Sequence, residues 1–136
     1  MTGARPDPDA LSEFFWTSGR DGRLRFLRCS HCRAFVHPPS SRCPHCLTAT
    51  LLPEAVSGRG RVDSYTVVVG GAGDAPTVVA WVSLPEQDDL RVTASLRGVG
   101  PQDARIGMEV QVTFEIRGGY HVPVFEPAPT GEPEAR

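Results

Sequence analysis

Lysine and asparagine are absent from this 136-residue chain, and all 14 basic residues are arginine. No lysine means no Schiff-base chemistry. The arginine bias points to a high-GC genome and says nothing of function. No apolar run approaches the roughly 18 residues that span a bilayer. The segment Met1 to Ala10 lacks the apolar stretch of a secretory signal, so a cytoplasmic chain without membrane contact is expected. Aromatic residues make up only 7%, and the net charge is only -2. A protein that tracks a nucleic-acid backbone needs clustered positive charge. From Val56 onward this chain has at least as many acids as bases, with few stacking platforms among Tyr65, Trp81, Phe114, Tyr120 and Phe125.

Cysteine is scarce too, but all four cysteines fall in one window. Cys29 and Cys32, then Cys43 and Cys46, give C-x2-C-x10-C-x2-C. Two such pairs are the ligand set of a zinc ribbon, each pair placing two thiolates on one tight turn. Two disulfides would need an oxidising compartment, and iron would use the same four thiolates. With every position taken by cysteine, no site stays open for water or substrate, so one structural zinc is expected. Glycine often follows the second cysteine of a knuckle; here Arg33 and Leu47 stand there, which implies slight strain. His31, His37 and His45 lie close by and are read as non-ligands.

Thirteen prolines and 14 glycines disfavour long helices. A tail and short helix are expected over 1–21, with the helix at 9–17, Asp9 as its cap and Gly19 as its stop. The ribbon is assigned to 22–52, a barrel to 53–127 and a disordered tail to 128–136. Within the barrel segment, period-two alternation marks strands over 62–69, 77–84, 90–96, 110–116 and 120–125. The glycines of Ser57-Gly58-Arg59-Gly60 permit a bulge or coil in the first strand. Five such strands fit a small closed barrel, for which the OB-fold is the commonest choice, or equally a small open sandwich.

Several motifs occur in order: Phe15-Trp16, Pro38-Pro39, Cys43-Pro44-His45-Cys46, the run Ser57 to Thr66 (SGRGRVDSYT), Arg105 to Val110 (RIGMEV) and Pro123-Val124-Phe125. Over roughly residues 9–127 this succession resembles the acyl-CoA-associated zinc-ribbon/OB-fold family, domain of unknown function 35. The resemblance implies a mainly β fold with an N-terminal helix, a rubredoxin-like ribbon and an OB barrel. It also implies a non-catalytic partner of a thiolase-superfamily enzyme: a thiolase, an acyltransferase or a steroid side-chain aldolase. Such a subunit orders the enzyme and helps shape its acyl-CoA channel, in some assemblies beside a MaoC-like hydratase.

The residues themselves offer no catalytic constellation. His121, near Glu115 and Glu126 in sequence, is the one His/Glu grouping, and it reads as an exposed strand histidine. Single-stranded nucleic-acid binding is the alternative function, since ribbons and OB-folds both serve it. The arginines at 20, 23, 25, 28 and 33 form a solvated ribbon face or a contact for CoA phosphates. Phe14 and Phe15, beside Trp16 on a helix whose neighbours are about 100° apart, are the expected partner anchors, with Trp16 packed inward.

Overall fold

The computed structural model describes residues 9, 11–70 and 75–128. Residues 1–8 and 10, all but Ala128 of the tail expected at 128–136, and residues 71–74 of the glycine loop lie outside the described residues. One helical turn, α1 (Glu13–Thr17), runs into a 3₁₀ turn over Ser18–Asp21. It starts later than expected because Asp9 caps a turn ahead of it. Asp9 Oδ1 accepts from the Ser12 N–H at 2.9 Å, and Ser12 Oγ accepts from the Asp9 N–H at 3.1 Å. Gly19 lies against the Phe114 ring so closely that an added Cβ would sit 2.4 Å from it. That approach, which no other residue permits, clamps the helical segment to the barrel.

The ribbon is a three-stranded antiparallel sheet in the order β2–β1–β3, from β1 (Arg25–Cys29), β2 (Phe35–Val36) and β3 (Leu51–Ala55). β3 crosses the boundary drawn at residue 52. Alternation predicts that Phe26 and Leu27 face opposite ways, and they do, yet both are buried. The central strand is covered on two sides. Phe26 enters the main core with Phe15 and Phe35, while Leu27 packs with Val36, Cys29 and Cys43 around the knuckles.

The remaining strands are β4 (Arg59–Val68), β5 (Thr77–Ser83), β6 (Arg91–Leu96), β7 (Glu109–Arg117) and β8 (Tyr120–Pro127). They close into a barrel ordered β4–β5–β6–β8–β7, with β4 pairing back to β7. This closure decides between barrel and open sandwich. β4 pairs with β7 through Arg59–Arg61 and with β5 through Arg61–Val68, so one long strand serves both halves of the barrel. The register slips between Val62 and Ser64, next to the glycines and not at them. Gly60 instead permits close contact: a Cβ there would meet Val82 Cγ1 at 2.3 Å. Val78, Ala80 and Val82 of β5 and Val92, Ala94 and Leu96 of β6 fill the interior. β8 continues two residues past Phe125, and the Ala128 N–H donates to the Glu109 carbonyl at 3.0 Å.

Ribbon and barrel are joined by one side chain in particular. Gln87, in the turn between β5 and β6, accepts from the Phe35 N–H at 2.8 Å and donates to the Phe35 carbonyl at 3.0 Å. Its amide thus completes the outer edge of β2, as a neighbouring strand would. No described helix is long and apolar enough to cross a membrane.

Candidate metal centre

Cys29 ends β1, and the chain turns at once. The Arg33 N–H donates to the Cys29 carbonyl at 2.9 Å, and in the second knuckle the Leu47 N–H donates to the Cys43 carbonyl at 2.8 Å. Both turns bring the residue after the second cysteine into the left-handed region, with φ of 69° at Arg33 and 66° at Leu47. These are the two positions where glycine was missed in the sequence. A side chain there costs about 1–2 kcal/mol, which the fold carries at both knuckles.

The four Sγ atoms lie within 4.8 Å of one another. Cys29 to Cys46 and Cys32 to Cys43 are each 3.6 Å apart. Zinc–sulfur bonds of about 2.3 Å in a tetrahedron require sulfurs about 3.8 Å apart, so the donor set fits one zinc ion. Backbone amides already point at the sulfurs: Cys32 N–H at Cys29 Sγ (3.5 Å) and His45 N–H at Cys43 Sγ (3.4 Å).

Two threonines that the sequence reading passed over complete the surroundings. Thr48 Oγ1 is 3.1 Å from Cys46 Sγ and 3.5 Å from Cys29 Sγ, and Thr50 Oγ1 is 3.4 Å from Cys29 Sγ. Their i, i+2 spacing just ahead of β3 was the available signal. The Thr48 hydroxyl foremost, then that of Thr50, holds the Cys29 thiol down to about 5. Thr48 also lowers Cys46. Cys32 has the Ala34 amide favouring its thiolate, yet desolvation and the three neighbouring sulfurs push it up to about 11. Crowded thiolates repel one another, and a dication relieves that repulsion. Cys29 and Cys43 are buried, Cys46 is half-buried and Cys32 is exposed. When bound, zinc would hold the two knuckles together and leave no position open for substrate.

The nearby histidines stand apart from this set. His31 and His45 point to the surface or its margin. His37 packs between Phe15 and Phe26, with ring centroids 5.1 and 4.9 Å away. Its buried Nδ1 has no hydrogen-bond partner, and burial lowers its pKa to about 4. Among the described residues, His121 makes no ion pair or hydrogen bond with an acid. Glu115 is held by Arg117 at 2.6 Å and Arg97 at 3.8 Å, and Glu126 lies 3.4 Å from Arg97. In the ribbon, Arg25 pairs with Asp21, while Arg28 pairs with Glu54 and stacks 4.5 Å over the Phe35 ring. Arg33 lies 3.6 Å from the same Glu54. Three of the five clustered arginines are therefore engaged within the chain, Arg25 by the 3₁₀ turn and Arg28 and Arg33 by the ribbon itself.

The expected surface anchors need one correction. Phe15 is only 7% exposed and belongs to the core. With one turn of helix available, it is position 15 that faces Phe26 and His37. Phe14 and Trp16 are both half-buried. Phe14 packs against both the main core and the knuckle cluster. The most exposed aromatic side chain among the described residues is Trp81 on β5, at 53%.

Two family models match the chain. The ChsH2 rubredoxin-like zinc ribbon domain covers residues 16–51, and the ChsH2 C-terminal OB-fold domain covers residues 53–115. A DUF35 domain-containing scaffold protein of Methanocaldococcus jannaschii is 34% identical over 93 residues, which is 65% of this chain and 64% of that protein. The benzoylsuccinyl-CoA thiolase subunit BbsA of Thauera aromatica is 34% identical over 98 residues, 68% of this chain and 66% of that subunit. The chain thus matches slightly under two thirds of the length of each of these relatives. Among solved structures, a chain of the Ltp2-ChsH2(DUF35) aldolase superposes with a TM-score of 0.80 at 33% identity, over 90% of this chain and 98% of that one. A DUF35-family protein from Sulfolobus solfataricus shares the fold, with a TM-score of 0.63 at 16% identity over 88% of this chain and 86% of that one.

Proposed function

Because the chain belongs to the ChsH2 zinc-ribbon/OB-fold (DUF35) family, we propose that it is a non-catalytic subunit of a cytoplasmic acyl-CoA-processing enzyme of the thiolase superfamily. The observation that carries this reading is the match along nearly the whole length of a chain of the Ltp2-ChsH2(DUF35) aldolase. Its likeness to a benzoylsuccinyl-CoA thiolase subunit agrees. The chemistry of the chain is consistent with such a role. Its metal-binding residues form a closed thiolate set, and the acids near its strand histidine are engaged by arginines. Ribbon and barrel, clasped through Gln87, make a rigid body suited to ordering a larger enzyme and bordering its acyl-CoA channel. A MaoC-like hydratase belongs to the same reading as a further member of the assembly. Of the α1 phenylalanines, Phe14 alone keeps an accessible edge for a partner.

The test is co-expression with each thiolase-superfamily protein of the source genome. One of them should co-purify in fixed stoichiometry, and its turnover of acyl-CoA should fall when this chain is left out. If none co-purifies with the wild-type chain, the proposal fails.

A further inference from the structure

The outer face of β4, β5 and β6 differs from the rest of the barrel. Trp81 stands at its middle, paired across the strands with Ser64 on one side and Thr93 on the other. The indole forms the wall between two hollows. One, of about 250 Å³, lies over Ser64, Thr66 and Val79. The other, of about 470 Å³, lies between Trp81 and Thr93 on the barrel and Trp16, His37 and Pro38 on the helix and ribbon side. The larger hollow falls in the range of pockets that take a ligand or an inserted side chain, about 300–1,000 Å³.

Immediately around Trp81 this face is uncharged, with Ser64, Thr66, Val79 and Thr93 as its neighbours, while Asp89 and Arg91 line the far side of the larger hollow. Those two charges are already engaged: Arg91 binds Asp63, and Asp89 accepts from Gln87. Across the β6–β8 junction, by contrast, Arg97 just after β6 links with Glu115 and Arg117 of β7 and Glu126 of β8 in an array. A hollow whose one lining arginine is already paired is poorly suited to nucleic-acid phosphates or the phosphates of CoA. Interface cores are poor in charge and rich in aromatics, and tryptophan leads among hot-spot residues.

We infer that the Trp81 face is the surface on which the thiolase-superfamily partner docks, an uncharged segment of the partner placing an apolar side chain between Trp81 and Trp16. This inference rests on the function proposed above. It moves the centre of the interface from the α1 phenylalanines to β5, with α1 contributing Trp16 at the edge of the hollow. The Ser64 and Thr93 hydroxyls flank the indole and supply hydrogen bonds to the partner's backbone.

The experiment measures affinity for the co-purifying thiolase-superfamily protein, using wild type, Trp81→Ala, Thr93→Arg and Ile116→Ala. Ile116 is equally apolar and 70% exposed but lies on β7, across the barrel. Zinc content and melting temperature serve as folding controls. Trp81→Ala should weaken binding about 30-fold or more, as loss of a hot-spot anchor does. Thr93→Arg should do at least as much, and Ile116→Ala should change little. If the wild type binds and both face variants bind with undiminished affinity, this inference fails while the proposed function stands. If the wild type binds no such protein, the proposed function fails as well. Two other results overturn the inference: a wild-type dimer that Trp81→Ala dissociates would give the face to a second copy, and submicromolar oligothymidylate binding lost in Trp81→Ala would give it to single strands.

Discussion

Gln87→Ala would cut the clasp between ribbon and barrel. The substitution removes two hydrogen bonds, of 2.8 and 3.0 Å, from the backbone of Phe35, a residue only 4% exposed. Left dry, each orphaned group would cost about 1–3 kcal/mol. A hollow of about 330 Å³ adjoins Phe35 and Gln87, however, and it admits water. The loss should therefore approach the net value of about 0.5–1.5 kcal/mol per bond, or about 2 kcal/mol in all. For a chain of this size that corresponds to roughly 4–10 °C in melting temperature. Gln87→Glu separates the two bonds. Its carboxylate still accepts from the Phe35 N–H but faces the Phe35 carbonyl, so this variant should gain stability as the pH falls and the carboxyl becomes a donor. Calorimetry gives the total, and amide exchange locates it: the Phe35 amide should lose protection while Val82 in β5 keeps its own. Melting temperatures within about 1 °C of wild type for both variants, with the Phe35 amide still protected, would refute the reasoning.

Leu47→Gly should slow zinc release to a chelator and raise the melting temperature slightly. It relieves about 1–2 kcal/mol of left-handed strain against about 0.5–1 kcal/mol of added chain entropy, at a side chain that is 70% exposed. Cys46→Ser should abolish stoichiometric zinc and protection of the β1 and β2 amides while the barrel's β-sheet circular dichroism persists, because most of the main core is supplied by the barrel strands and their connections. His37 has a folded pKa of about 4, below its ordinary value of 6.5, so the unfolded chain binds the proton more tightly. Its contribution is complete above pH 6.5 and is lost as the pH falls toward 4, by up to about 3 kcal/mol. The stability of His37→Phe should fall less steeply over that interval when denaturant titrations of the two proteins are compared.

The metal site and the strands were legible because each follows from spacing. The two C-x2-C turns fix four sulfurs by local geometry, and the alternation at Val110, Val112, Phe114 and Ile116 fixes one face of β7. Even the missing glycines pointed to the right positions, since Arg33 and Leu47 are the two non-glycine residues with positive φ among the described residues. What could not be read depends on contacts between distant segments. Leu27 looks outward until the knuckles fold over it. Phe15 looks like a surface aromatic until Phe26 and His37 close around it. Gln87 sits in an ordinary polar turn, 52 positions from the strand edge it completes. Thr48 and Thr50 take on meaning only when the segment leading into β3 brings their hydroxyls to Cys29 Sγ.

The barrel is closed between β6 and β8 by a short seam. Leu96 alone is paired with Phe125, in parallel, and the Arg97 N–H donates to the Phe125 carbonyl at 2.7 Å. Every other junction of the barrel is a longer antiparallel ladder. On warming, the barrel should therefore part first along this line, with β4–β5–β6 swinging from the β7–β8 hairpin about the shared strand β4. Opening exposes two unpaired strand edges at once, β6 and β8, each lined with valine, leucine or phenylalanine. Such edges recruit one another between molecules, so heat-driven aggregation of this protein would begin at the barrel seam, ahead of global unfolding and with the zinc knuckles still intact.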